Sequence, residues 1–370
     1  MRGVPFSVWR LMLAYALMIS GTSLMVLIAG IIGVDFAPRA GLATLPIACV
    51  VVGVACATLP TGRLFNRWGR RRVFIAYGFI SVISALYAAY SLVAWSFPSF
   101  CVAAFMMGWA GAAIHQYRFS ALEQVPSHMA ASATSVLLLG GIVGAFTGPE
   151  IAVRGRDLAD TPFAGSYLLL AATYVIGIAL VSTNPDSMVE REDHHLPGRP
   201  LGEIIRSPVV VLAICAAALG YGVMSFLMTA TPISMHQHAG HSLNATKQVI
   251  QAHIVAMYLP SLVFAWLLAK FGYRALLNAG VLAFLLRAGV AFAGTRYINY
   301  WVALALLGIG WNWLFLCGTN LLVFGYRTSE RFRVQSMNDF LVFTVQAVVS
   351  LSAGWALFQV EWTGMLLIIV

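Results

Sequence analysis

The chain is 370 residues long, 60% hydrophobic and only 9% charged, with a mean hydropathy of +0.85. Soluble domains carry roughly 25% charged residues, so a water-soluble globular class is excluded. The net charge of +9 lies between long apolar blocks, not on one basic face, which excludes a nucleic-acid partner.

Eleven apolar blocks follow in order: Leu11–Val34, Leu42–Pro60, Val73–Ala94, Phe100–Ile114, Met129–Phe146, Phe163–Val181, Val209–Ala230, Ile254–Leu268, Ala275–Gly294, Trp301–Phe324 and Phe340–Leu357. Most reach or approach the roughly 20 residues that carry a helix across a bilayer core. The first is long and followed by further spans, so it reads as a membrane helix and not a cleaved signal peptide. Cys49, Cys56, Cys101, Cys215 and Cys317 all fall inside blocks and read as small core residues. No P-loop is present, no cofactor is implied, and His236, His238 and His241 lack an accompanying acid or cysteine, so they do not define a metal site.

The second and third blocks are joined by Gly62-Arg-Leu-Phe-Asn66-Arg67-Trp-Gly69-Arg70-Arg71-Arg72. With the N-terminus inside, fifteen of the 22 Lys and Arg residues fall in cytoplasmic segments, five in outer loops, and Arg118 and Arg287 within spans. Basic loops stay in the cytoplasm, which predicts a multi-pass protein of the cell (inner or plasma) membrane with a cytoplasmic N-terminus. Residues 184–206 are the longest polar stretch and are expected to be a cytoplasmic linker between halves at 1–183 and 207–370. After the eleventh helix only Met365–Val370 remain. Six residues rise about 9 Å against a core of about 30 Å, so the second half is expected to hold five helices plus a stub. Either helix 12 is truncated or the tail stays at the outer interface.

An offset of 203 residues aligns Leu64 with Leu267, Arg67 with Lys270, Trp68 with Phe271, Gly69 with Gly272 and Arg71 with Arg274. Both copies sit between the second and third helix of a half, the pattern of parallel repeats. Gly62, Leu64, Arg67, Gly69, Arg70 and Arg71 match the loop signature of the major facilitator superfamily, with Asn66 in place of its Asp. Gly144-Ala-Phe-Thr-Gly148-Pro149 is similar to the signature of the antiporter branches of that superfamily. Thr231–Met235, Gly240–Ser242, Tyr258–Ser261, Gly310–Trp313 and Asn338–Phe340 resemble a poorly characterised bacterial subgroup with a riboflavin importer among its relatives. The resemblance implies an all-α polytopic fold of two six-helix parallel repeats. It also implies a secondary transporter of a small organic solute working by alternating access, in the direction of efflux or of vitamin-like uptake. Lipid, a small-molecule substrate and protons are then the partners, and the chain is expected to be a monomer. A non-transporting sensor or scaffold on the same fold is the alternative.

Within that resemblance, Gly62, Asn66, Arg67, Gly69 and Arg70 form a conformational latch, with Gly62 allowing close helix approach and Gly69 a tight turn. Asp339, near the start of helix 11, and Glu123, below helix 4, are the expected acids for Arg67 or Arg70. Gly144, Gly148 and Pro149 shape a gate, although small residues and a proline serve helix packing equally well. Glu150, His253 and Asp339 are proton-coupling candidates, with rim solvation for Glu150 and simple packing for His253 as open alternatives. Helices 1, 4, 7 and 10 line the cavity in this family. Trp311, Asn312 and Trp313 therefore suit a planar, partly polar ligand, with ordinary packing or an interfacial aromatic belt as the open alternative, and Tyr221, Ser225, Thr22, His115 and Gln116 join them. His115 and Arg118 are expected on one face of helix 4.

Overall fold

The computed structural model describes residues 4–122, 124–125, 129–184, 199–327 and 330–369, and among them every regular element is helical. The order is α1 (Phe6–Phe36), α2 (Leu45–Trp68), α3 (Arg70–Val93), α4 (Phe97–Ile114), α5 (Tyr117–Leu122), α6 (Ala130–Gly155), α7 (Ala164–Ser182), α8 (Leu201–Ile205), α9 (Pro208–Ile233), α10 (Leu243–Tyr258), α11 (Phe264–Phe292), α12 (Tyr297–Leu322) and α13 (Arg331–Ile369). Among the described residues, ten helical segments are long and apolar enough to cross a membrane.

The internal repeat is visible in backbone and packing. Gly69 separates α2 from α3 at φ 76°, ψ 163°, and Gly272 bends α11 at φ 74°, ψ 170°. Both are left-handed conformations that favour glycine, and they stand at equivalent positions of the two copies. The residues before Gly272 therefore finish the helix begun by α10. Within that helix, Leu259–Leu262 form a 3₁₀ turn around Pro260, which cannot donate to the ladder. The packing repeats as well: α1 on α6 and α9 on α13, α2 on α4 and α10 on α12, α3 on α4 and α11 on α12. Helices α1–α7 thus form one group and α9–α13 the other.

Two expectations about the elements are corrected. Helix 4 ends with its apolar block at Ile114, and the chain turns at His115 and Gln116 before α5, so His115 and Arg118 are not on one face of helix 4 as expected. At the other end α13 runs unbroken through Ile369, so its last residues are not a separate stub.

The groups meet along α2–α13, α6–α10 and α1–α9. At the face opposite the arginine loop the seam is tight. A Cβ on Gly354 would reach the Gly41 carbonyl at 3.1 Å, and one on Gly30 the Ile233 side chain at 3.1 Å. Deeper in, the Tyr258 ring lies against Gly141. Tyr258 is fifteen residues along α10, about 22 Å from that face, so the seam reaches mid-bundle.

Candidate functional site

At the middle of the bundle the structure assembles an aromatic set from four helices. Trp311 and Phe315 on α12 stack at 5.1 Å with an interplanar angle of 13°. Their spacing of four brings them onto one helix face. Tyr221 of α9 meets both edge-on at 5.2 Å and meets Phe343 of α13 at 5.8 Å. His115, at the end of α4, lies 5.5 Å from Phe343. Rings from both groups of helices therefore form one continuous surface. Edge-to-face and offset contacts of this kind add about 0.5–1.5 kcal/mol each beyond burial.

The other predicted ligand residues divide. Ser225 is buried one turn beyond Tyr221, and Gln116 is half-buried beside His115. Asn312 is turned toward α10: its Nδ2 donates to the Met257 carbonyl at 2.7 Å and to Ser261 Oγ at 2.5 Å. It thereby satisfies a carbonyl at the 3₁₀ break. Trp313 packs with Phe264, Leu276 and Cys317, away from the aromatic set, because two residues on a helix are about 200° apart. Thr22 is exposed on α1. Sequence reasoning missed Phe315 and Phe343; spacing from Trp311 could have found the first, whereas the second needs the packing of α13 on α9.

The loop residues are placed as follows. A Cβ on Gly62 would meet nothing within 4 Å, so the expected close approach at Gly62 is absent. Arg67 is exposed, with no acid in reach among the described residues. Glu123 and the Asn66 side chain lie outside the described residues. Arg70 sits over the Phe65 ring at 5.5 Å. Asp339 is half-buried and accepts from Asn338 Nδ2 at 3.1 Å. Asn184, at the end of α7, was not anticipated: its Oδ1 accepts from Arg10 Nε at 2.7 Å and its carbonyl from Arg71 Nη1 at 3.4 Å. Cations suit that position, where a helix leaves unsatisfied carbonyls.

Gly144 and Gly148 line the face of α6 that packs on α1. A Cβ on Gly148 would overlap the Ser20 carbonyl and Ser23 Oγ, and one on Gly144 would overlap Ile19. Ser23 Oγ closes the contact by donating to the Gly144 carbonyl at 2.8 Å. Glu150, beyond Gly148 on the same helix, accepts from Lys247 Nζ of α10 at 2.7 Å and from Arg154 Nε at 3.1 Å. The first bond spans the two helix groups, so Glu150 has a specific partner rather than simple rim solvation. His253 is buried, with Nδ1 bonded to the Leu304 carbonyl at 2.8 Å, and so staples α10 to α12. Arg287 is also buried, its Nε donating to the Phe284 carbonyl at 3.3 Å. His236 Nδ1 and His241 Nε2 bond to the carbonyls of His241 and Thr295 and hold the loop after α9.

A second unanticipated constellation lies between the linker and the α12–α13 connection. Glu330 is buried, with its side chain only 1% exposed. Its Oε1 accepts from the Arg199 backbone N–H at 2.8 Å and from Arg199 Nε at 3.0 Å. Its Oε2 accepts from Arg199 Nη2 at 2.8 Å and the Arg327 N–H at 2.9 Å. The bidentate Arg199 guanidinium, followed by the backbone donors, holds the Glu330 carboxyl well below the usual carboxylate range. A depressed carboxyl stabilises the fold above its unfolded value, near about 4.3, and loses that contribution only as pH falls through the folded value. E330Q is therefore expected to lower the melting point by a few degrees, and by a near-constant amount between about pH 5 and 8, because the charge-assisted bonds it removes are fully present throughout that window. Melts of both proteins across that range check it.

A bundle of membrane-crossing helices built as two similar halves, meeting around a mid-depth aromatic site, defines a transporter. The Major Facilitator Superfamily profile matches residues 11–369, and the chain belongs to that superfamily. It is 32% identical over 355 residues to the riboflavin transporter RfnT of Brucella anthropi, covering 95% of this chain and 89% of that protein. It is 30% identical over 334 residues to the uncharacterized MFS-type transporter YdeG of Bacillus subtilis, covering 85% and 76%. Among solved structures, a point mutant of the nucleoside transporter NupG superposes with a TM-score of 0.75 at 13% identity, over 99% of this chain and 96% of that one. A bacterial homologue of the human lysosomal transporter Spinster, inward-facing and occupied, gives 0.72 at 15%, over 95% and 81%. The protein is a secondary transporter of the membrane, and the sensor or scaffold alternative is set aside.

Proposed function

We propose that the chain moves a planar, partly polar heteroaromatic solute of the flavin kind across the membrane by alternating access. The aromatic set Trp311, Phe315, Tyr221, Phe343 and His115 carries the reading. Stacked and edge-on rings offer a flat solute a matching surface, and rings contributed by both helix groups make its binding sensitive to their relative position. The 32% identity to a riboflavin transporter supports the same class. The halves are 1–183 and 207–370, with 184–206 as the linker, and the N-terminus and arginine loop lie on the cytoplasmic side, where basic loops are retained. On that orientation Lys247–Glu150, which joins the two helix groups, belongs to the outer gate. Glu150, Asp339 and His253 remain the groups through which a proton would couple.

Riboflavin flux into proteoliposomes tests this. Saturable uptake, competed by flavin analogues, is expected. No saturable flux with the protein folded and inserted would sink the flavin reading. Flux unchanged by a pH gradient would remove the coupling role from all three titratable residues.

A further inference from the structure

We infer that a groove on the lipid-facing side of the C-terminal group binds one anionic glycerophospholipid, its phosphate on Arg274 and an acyl chain between α9 and α11. Both helices pack on α12 but hardly touch one another. The gap has a volume of about 590 Å³, within the roughly 300–1,000 Å³ of ligand pockets. Its walls are Leu212 and Leu219 of α9 and Val281 of α11, and its floor is Leu314 and Leu321 of α12. Leu212 and Leu219 are 48% and 49% exposed, so the slot opens sideways, toward the acyl chains of the bilayer.

The polar end of the groove has the chemistry of a headgroup site. Arg274 and Asn278 lie on the same face of α11 as Val281, since the spacings of four and three stack them along the helix. Arg274 is the second residue after the Gly272 bend, and Val281 lies about 10 Å deeper. Trp266, Phe271 and Phe324, 60%, 51% and 70% exposed, surround this level, and Lys270 Nζ sits 5.1 Å from the Trp266 ring. Such an aromatic collar marks the membrane interface. Arg274 is exposed and has no hydrogen bond, ion pair or ring contact among the described residues. Guanidinium, then amide, then apolar slot follows the order phosphate, ester, acyl chain in a phospholipid. No acid lines the groove, so nothing there would hold the amine of a zwitterionic headgroup, and an anionic one is favoured.

The inference does not depend on the identity of the transported solute, and a native reporter tests it. Cys215 is exposed and lines the groove, whereas Cys56 is exposed on α2, outside it. In detergent, phosphatidylglycerol is expected to slow alkylation of Cys215 by a membrane-permeant maleimide at concentrations where phosphatidylcholine does not, leaving Cys56 unchanged. R274Q is expected to raise the half-protecting concentration about fivefold, and R63Q, at the arginine loop, to leave it unaltered. Equal protection by the two lipids overturns the proposal, as does an unchanged response in R274Q. Protection by riboflavin in place of lipid overturns it too, reassigning the groove to the solute. The comparison of lipids on the unmutated protein holds even if a variant folds poorly.

Discussion

A single methyl group at Gly148 is expected to cost about 3 kcal/mol, the upper end of the range for overpacking, and to abolish transport in G148A. The magnitude follows from what the methyl would strike. The Ser20 carbonyl and the Leu24 N–H belong to the backbone of α1, and a helix cannot swing aside as a side chain can. Relief requires α1 and α6 to separate, which breaks the Ser23 Oγ bond to the Gly144 carbonyl. Separation also displaces Glu150, carried on the same helix, from Lys247 across the seam. G144A would strike mainly the Ile19 side chain, which can change rotamer, so it should be milder. Thermal stability by fluorescence-detected size exclusion, with uptake in the same preparations, checks both. G148A as stable as G144A would show that the α1–α6 contact is not tight.

The sequence carried the repeat, the membrane class and much of the aromatic site for physical reasons that can be named. Period and length of apolar blocks are local properties, and so is the glycine that must adopt a positive φ, which is why Gly69 and Gly272 align from sequence alone. Pairings across 131 residues, as for Arg199 and Glu330, or 97, as for Glu150 and Lys247, are not local. Glu330 and Arg199 lie in polar stretches where either could have been an ordinary solvated charge, and only folding buries the carboxylate against the guanidinium. The Lys247–Glu150 bond likewise depends on α10 lying against α6. At Gly62 the family signature suggested crowding, and at Cys56 and Cys215 an apolar block suggested burial. Both failed for one reason: a membrane helix is apolar on its lipid face as well as its packed face, so hydropathy cannot tell the two apart.

Trp311 and Trp313 form a matched pair for the transport reading, because they are two residues apart yet face different surroundings. W311L is expected to raise the KM for riboflavin about tenfold, equivalent to ~1.4 kcal/mol near the top of the range for an aromatic pair. W313L should leave KM within about twofold. Both substitutions remove an indole from the same helix, so a general loss of stability would affect both. Only Trp311 is stacked on Phe315 and met by the edge of Tyr221; Trp313 lies in the separate cluster with Phe264, Leu276 and Cys317. A solute that exploits the rings through their faces loses its partner when leucine replaces Trp311, although the apolar volume is largely kept. Initial rates in proteoliposomes over a range of riboflavin concentrations separate KM from maximal rate. Equal effects of W311L and W313L on KM would show that the aromatic set is packing, and would move the solute to another part of the seam.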